Sequence, residues 1–155
     1  MMAAPSKQSG LGMIEVLVAV VILAVGLLGL AAMQVTASQT TTQSAQKTQA
    51  LLLAEDMIER VRANRSAAGS YDDVSVGSED SCSLDYAPTA ADVATNDING
   101  WRNSVRCLLA DGSGQVEVDT GASTVEVTLS WESRKDSDDA DAIAGEDTVT
   151  LATSY

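Results

Sequence analysis

Gly10-Leu11-Gly12-Met13-Ile14-Glu15, with the apolar run Val16 to Met33 directly behind it, decides how the rest of the chain is read. About 20 apolar residues suffice to cross a bilayer, and Glu15 is the one ionisable side chain in this stretch. At the centre of a membrane helix an acidic side chain costs roughly 2.5 to 3.5 kcal/mol on insertion scales, so Glu15 calls for a positive partner. A cut after Gly10 supplies one. The new amino terminus at Leu11 is cationic, and Glu15 falls in the first helical turns, where the dipole favours a negative charge by about 0.3 to 1 kcal/mol. In a stack of such helices, Glu15 of one subunit meets the amine of its neighbour.

Two other readings use the same residues. A secretory signal also has a basic start and an apolar core, and Val35-Thr36-Ala37 offers small residues for a cut behind it; such cores normally run about 7 to 15 residues and hold no Glu. A plain uncleaved anchor is the other, and it leaves Gly10 and Glu15 without a purpose.

Taken whole, the 155 residues suit one globular unit plus the anchor. The net charge is -13, with an isoelectric point near 4.1. All of the imbalance lies from Ser66 onward, where 18 acidic residues face 4 basic ones. An outer domain of that sign repels phosphate backbones, which disfavours direct nucleic-acid binding. Lys7 on the leader side directs the leader to the cytoplasm and the remainder to export. In an oxidising compartment the two cysteines, Cys82 and Cys107, read as a disulfide. Closing that loop contributes about 3 to 4 kcal/mol in the chain-entropy model. The alternative is two free thiols or half a metal site; with no histidine in the chain, zinc would need carboxylate ligands.

In order, Met1 to Ser9 is a polar leader, so residues 1–10 are processing sequence. Residues 11–33 read as the membrane helix, with Gly26 and Gly29 allowing close helix approach in lipid. Residues 34–65 read as its amphipathic continuation. Gln34 to Gln49 is rich in Thr and Gln and is the weakest part of that helix, yet no Gly or Pro falls between Leu30 and Gly69 to break it. Leu51, Ala54, Ile58 and Val61 then form an apolar stripe, and Glu59 is spaced to pair with Arg62. Asn64 and Gly69 are plausible ends for the helix, which is expected to run to about Arg65.

Residues 66–155 read as an exported globular domain. Ser66 to Asn96 is loop-rich and holds Cys82. A short helix, capped by Asn96 or Asp97 and running to about Ala110, carries the stripe Ile98, Trp101, Val105 and Leu108, with Cys107 on it. Alternation then predicts three half-buried strands: Val116 and Val118; Val125 to Trp131; Val149 and Leu151. The first two are joined by a hairpin at Gly121. A long helix laid across a small antiparallel sheet of three strands or more is an α+β unit.

Nothing in the chain assembles a catalytic constellation. There is no histidine, and no serine stands in a nucleophile motif beside an evident base. The acidic run Asp136-Ser137-Asp138-Asp139-Ala140-Asp141 has the oxygen ligands of a calcium loop but not its glycine or its spaced Glu. It reads first as a solvated loop. No enzyme, metal or cofactor is expected.

The leader, Gly10 and the Glu at the fifth position behind it resemble a type IV prepilin signal. Glu55-Asp56-Met57-Ile58-Glu59-Arg60-Val61-Arg62-Ala63-Asn64-Arg65, with Glu15 to Leu30, is similar to the PilV group of minor pilins, sometimes called pilus modification proteins. The resemblance covers about the first two fifths of the chain. It implies the type IV pilin fold, cleavage between Gly10 and Leu11 by a prepilin peptidase, N-methylation of Leu11, and Glu15 as the assembly carboxylate. It implies a minor pilin held in the inner membrane by a single pass, domain in the periplasm, which then enters an extracellular pilus. There it helps to initiate assembly and supports twitching motility and surface attachment. Its partners would be minor and major pilins, the peptidase and the assembly platform, with no nucleic acid. A minor pseudopilin of type II secretion, or an anchored periplasmic binding module, is the alternative. Leu11 departs mildly from the family, which more often has Phe or Met there.

Overall fold

The computed structural model describes residues 12–133 and 145–155. Its elements are a helix α1 (Met13–Ala63), a 3-10 turn (Arg65–Tyr71), strand β1 (Val74–Val76), helix α2 (Val93–Leu108), and strands β2 (Ser113–Asp119), β3 (Thr124–Ser133) and β4 (Gly145–Ser154). The strands form one antiparallel sheet in the order β1-β2-β3-β4. The chain divides into two compact units, one ending at Thr41 and the other running from Thr42 to Tyr155.

In the first unit the helix is apolar on every side, and none of its membrane-length window is buried. The Thr-rich stretch is helical, as expected. Its threonines satisfy their own hydroxyls along the helix: Thr40 donates to the Thr36 carbonyl at 3.0 Å and Thr41 to the Ala37 carbonyl at 2.9 Å. This bonding four residues back takes up the hydroxyls within the helix itself.

In the second unit α1 becomes one-sided. Ala50, Leu53, Ala54, Met57, Ile58 and Val61 are buried at the three- and four-residue spacing of a single helical face. Leu51, expected on that stripe, lies at its margin and is only half-buried. The opposing layer is the inner face of the sheet, where Val116, Val118, Val125, Val127, Leu129 and Trp131 are buried while their neighbours point outward. Val149 and Leu151 of β4 pack against this core and stay half-buried.

Of four further details, two add to the expectations above and two depart from them. The sheet has a fourth strand, because Val74-Ser75-Val76 pairs with Val116, Gln115 and Gly114. Helix α2 begins at Val93, capped by Asp92, whose carboxylate accepts from the Thr95 amide at 2.9 Å, so Asn96 and Asp97 lie inside it. At its far end Leu108 is 52% exposed and Leu109 is buried, because the helix ends there and the chain turns Leu109 inward. In the β2 to β3 hairpin, Gly121 is not the residue with unusual backbone; Ser123 takes the left-handed conformation at φ 55°, and the Asp119 side chain accepts from the amides of Gly121 and Ala122 at 2.8 and 2.9 Å.

Candidate assembly site

Glu15 sits in the first turn of α1, among side chains that face outward. Its amide donates to the Gly12 carbonyl at 2.9 Å, and its carboxylate forms no ion pair among the described residues. Met13, Ile14, Val16, Leu17 and Val18 around it are between 51% and 86% exposed. The anion is therefore carried on a greasy cylinder with no ion-pair partner among the described residues. Gly10 and Leu11 lie outside the described residues, as does the acidic run Asp136 to Asp141. Gly26 and Gly29 have nothing within 4 Å of where a Cβ would stand, so the helix surface there is open to a neighbour.

The far end of α1 is fastened by its arginines, each to a different part of the domain. Arg60 holds Asp56 one turn back at 2.8 Å and Asp97 of α2 at 3.0 Å. Burial pulls the Arg60 guanidinium down, but the two carboxylates outweigh it and hold its pKa above the ordinary value. The other oxygen of Asp97 accepts from the Tyr71 hydroxyl at 2.7 Å, and Asn64 donates to that hydroxyl at 3.2 Å. Tyr71 is fully buried, and burial, followed by its bond to Asp97, pushes the phenol up to about 12. Arg62 pairs with Glu59 at 2.6 Å, as the spacing predicts, and also donates to the Ser154 carbonyl at 2.9 Å. Arg65 lies 6.0 Å from the ring centre of Tyr155. The arginines spaced through Glu55 to Arg65 thus tie the helix end to α2, to β4 and to the C-terminal residue.

Helix α2 works on two sides. Ala94, Trp101 and Val105 enter the core. The opposite stripe, Asn96, Gly100, Asn103 and Cys107, holds the preceding loop. Cys107 is bonded to Cys82, with Cα atoms 4.9 Å apart. The Asn103 amide accepts from the Ser83 N–H at 2.7 Å and donates to its carbonyl at 3.1 Å. Asn96 does the same for Ala90, at 2.9 and 2.7 Å. Gly100 leaves room for the Tyr86 ring, which stands 3.5 Å from where a Cβ would be. Sequence reading found the cysteine pair but not the asparagines; their spacing of seven residues, with the cysteine four further on, was the available signal.

Comparison with known families places both ends of this arrangement. Residues 5–31 match the family model described as the prokaryotic N-terminal methylation motif, and residues 32–99 match the Tt1218-like family, type IV pilin Tt1218. Over residues 5–99 the chain is similar to type IV pilins. The first match takes in the leader and the apolar half of α1, and the second runs from there through the arginine-bearing helix end into α2. Strands β2 to β4 lie beyond both. No curated protein and no solved structure matches this chain. The family is structural rather than enzymatic, and a pilin with a methylation motif is a substrate of prepilin peptidase and a neighbour of other pilins in a pilus. Its motif and apolar helix fit membrane anchoring before assembly.

Proposed function

We propose that this pilin is a minor pilin of the PilV group. Residues 1–10 are the leader, 11–33 the single membrane span and later filament-core helix, 34–65 its amphipathic continuation, and 66–155 the periplasmic domain. Prepilin peptidase cleaves between Gly10 and Leu11, and the Leu11 amine is methylated. The pilin then joins other minor pilins on the assembly platform, helps to initiate the filament and is carried out with it, supporting twitching motility and attachment. The observation that carries this reading is Glu15, a carboxylate with no counter-ion among the described residues on an exposed apolar helix. In lipid or in a filament core that charge is tolerated when a cation from an adjoining subunit meets it.

The test is Glu15→Ala in the native host. Processing survives, read as an unchanged mature mass beginning at N-methyl-leucine, while incorporation into sheared pili falls sharply. Normal piliation and twitching by the variant would refute the role of the carboxylate. Deletion of the gene should abolish twitching; loss of exoprotein secretion with twitching intact would assign the pilin to a secretion pseudopilus instead.

A further inference from the structure

The sheet has two edges, and among the described residues only one of them is protected. Strand β1 is three residues long, which is one way proteins blunt an edge. Strand β4 is ten residues long, pairs with β3 in unbroken register from Ser133 opposite Gly145 to Thr124 opposite Ser154, and so has no bulge. It contains neither proline nor lysine, the other usual guards.

The hydrogen-bond phase shows which groups this edge presents. The Tyr155 amide donates to the Ser123 carbonyl opposite it at 3.0 Å. Alternation along an antiparallel pair then turns the amides and carbonyls of Asp147, Val149, Leu151 and Thr153 towards β3. Those of Glu146, Thr148, Thr150, Ala152 and Ser154 face away. The outward Ser154 carbonyl is accordingly the one that Arg62 reaches at 2.9 Å, and the remaining outward groups have no partner among the described residues.

Beside this edge, the seam between β4 and α1 opens into two hollows. One of about 350 Å³ is floored by Ile58 and Leu151, with Glu55 and Glu59 on its rim. The other, about 240 Å³, lies between Lys47 and Asp147 and is lined by Trp131. Trp131 is 2% exposed, and its Nε1–H has no acceptor among the described residues. Four carboxylates (Glu55, Glu59, Glu146 and Asp147) stand along the strand and seam against Lys47 and Arg62, and Arg62 is already paired with Glu59.

We propose that β4 accepts an extended segment from a different polypeptide, added as a fifth strand, with apolar side chains at alternate positions and flanking basic residues. Main-chain bonds to Glu146, Thr148, Thr150 and Ala152 supply its affinity. Alternate side chains enter the seam over Leu151 and Ile58, and an inserted acceptor satisfies Trp131. A basic segment answers the acidic rim, whereas a second copy brings the same acids and a net charge of -13. This surface is independent of the role of Glu15.

The experiment uses the full ¹⁵N-labelled chain in detergent micelles and the synthetic peptide acetyl-Lys-Thr-Val-Thr-Val-Thr-Lys-amide. At saturation, amide exchange at Thr148, Thr150 and Ala152 slows, and the Trp131 indole signal shifts while that of Trp101 stays. The same peptide with alternate backbone nitrogens methylated loses two or more main-chain bonds and binds about tenfold or more weakly, and a version with Glu in place of Lys is weaker as well. Thr150→Pro removes one outward donor at a position where an edge strand tolerates proline, and it weakens binding. Absence of protection, or equal binding by the N-methylated peptide, overturns the proposal without recourse to any variant. Sedimentation showing that the chain alone dimerises and that Thr150→Pro abolishes the dimer overturns it in favour of self-pairing.

Discussion

Trp101 of α2 donates its indole N–H to the carbonyl of Leu53 in α1, 2.9 Å away, with both residues buried. This bond crosses from one helix to the other beneath the sheet, so it fixes the depth at which α2 sits as well as its rotation. Replacing Trp101 by Phe removes the donor and part of the ring. We expect a loss of about 1 to 3 kcal/mol, read by urea denaturation of the full chain in detergent. The indole signal of Trp131 remains as a probe of the folded state.

The same ring depends on a glycine in the sheet. A Cβ on Gly114 would stand 2.8 Å from the Leu129 side chain and 3.0 Å from the Trp101 ring. Gly114→Ala therefore forces the tryptophan outward, at a cost of about 1 to 3 kcal/mol for an overpacked core. In the Trp101→Phe background the ring atom it strikes is gone. The two substitutions should then cost less together than the sum of each alone, which a double-mutant cycle measures.

Alkaline titration should reveal Tyr71 apart from the other tyrosines. Its folded pKa of about 12 lies above the ordinary value of 10.0, so the folded state favours the neutral phenol. The contribution is whole below pH 10 and is lost as pH rises through about 12. Tyrosinate absorbance should show a late phase that coincides with unfolding, and Tyr71→Phe should remove that phase while lowering stability at neutral pH by about 1 kcal/mol.

At the acid end the group to watch is Asp92. The Thr95 amide, then the Thr95 hydroxyl, holds its carboxyl below the ordinary 3.8. A lowered folded pKa contributes stability above the ordinary value and loses it as pH falls through the folded one. Asp92→Asn keeps a cap without a titrating group, so its stability should vary less with pH in that window. Asp92→Ala should fray the start of α2 at all pH values, visible in amide exchange at Thr95.

Reduction of Cys82–Cys107 should lower stability by about 3 to 4 kcal/mol in the chain-entropy model, given a sequence separation of 25 between the cysteines. The asparagine bonds to Ser83 and Ala90 are made by side chains other than the cysteines and should survive reduction. The loop should therefore stay on α2 in the reduced folded state, and the asparagine variants should be more damaging in reduced protein than in oxidised.

What could be read from sequence was whatever announces itself locally. The alternation from Val116 to Trp131 marks a half-buried sheet, and Glu15 stands out because its surroundings are uniformly apolar. Strand β1 was hidden because three residues carry no periodicity; only pairing with Val116 makes Val74-Ser75-Val76 a strand. The start of α2 was misjudged because Asn96, a good cap by type, lies inside the helix and uses its side chain to hold Ala90. Leu108 and Leu109 are adjacent and chemically alike, and only the helix end decides between them. Which strand forms the open edge is likewise a property of the whole sheet, not of the Gly145 to Ser154 segment.

The loop from Cys82 to Ala90 is rooted along one stripe of α2, while Leu84 at its crest is 94% exposed. A segment gripped at its roots and bare at its summit can be rewritten between them without telling the core. An epitope or fluorophore-binding tag spliced in after Leu84 is thus the natural way to paint this pilin and follow its fate by microscopy. The same latitude makes the crest the first place where an immune system or a phage would find sequence free to drift.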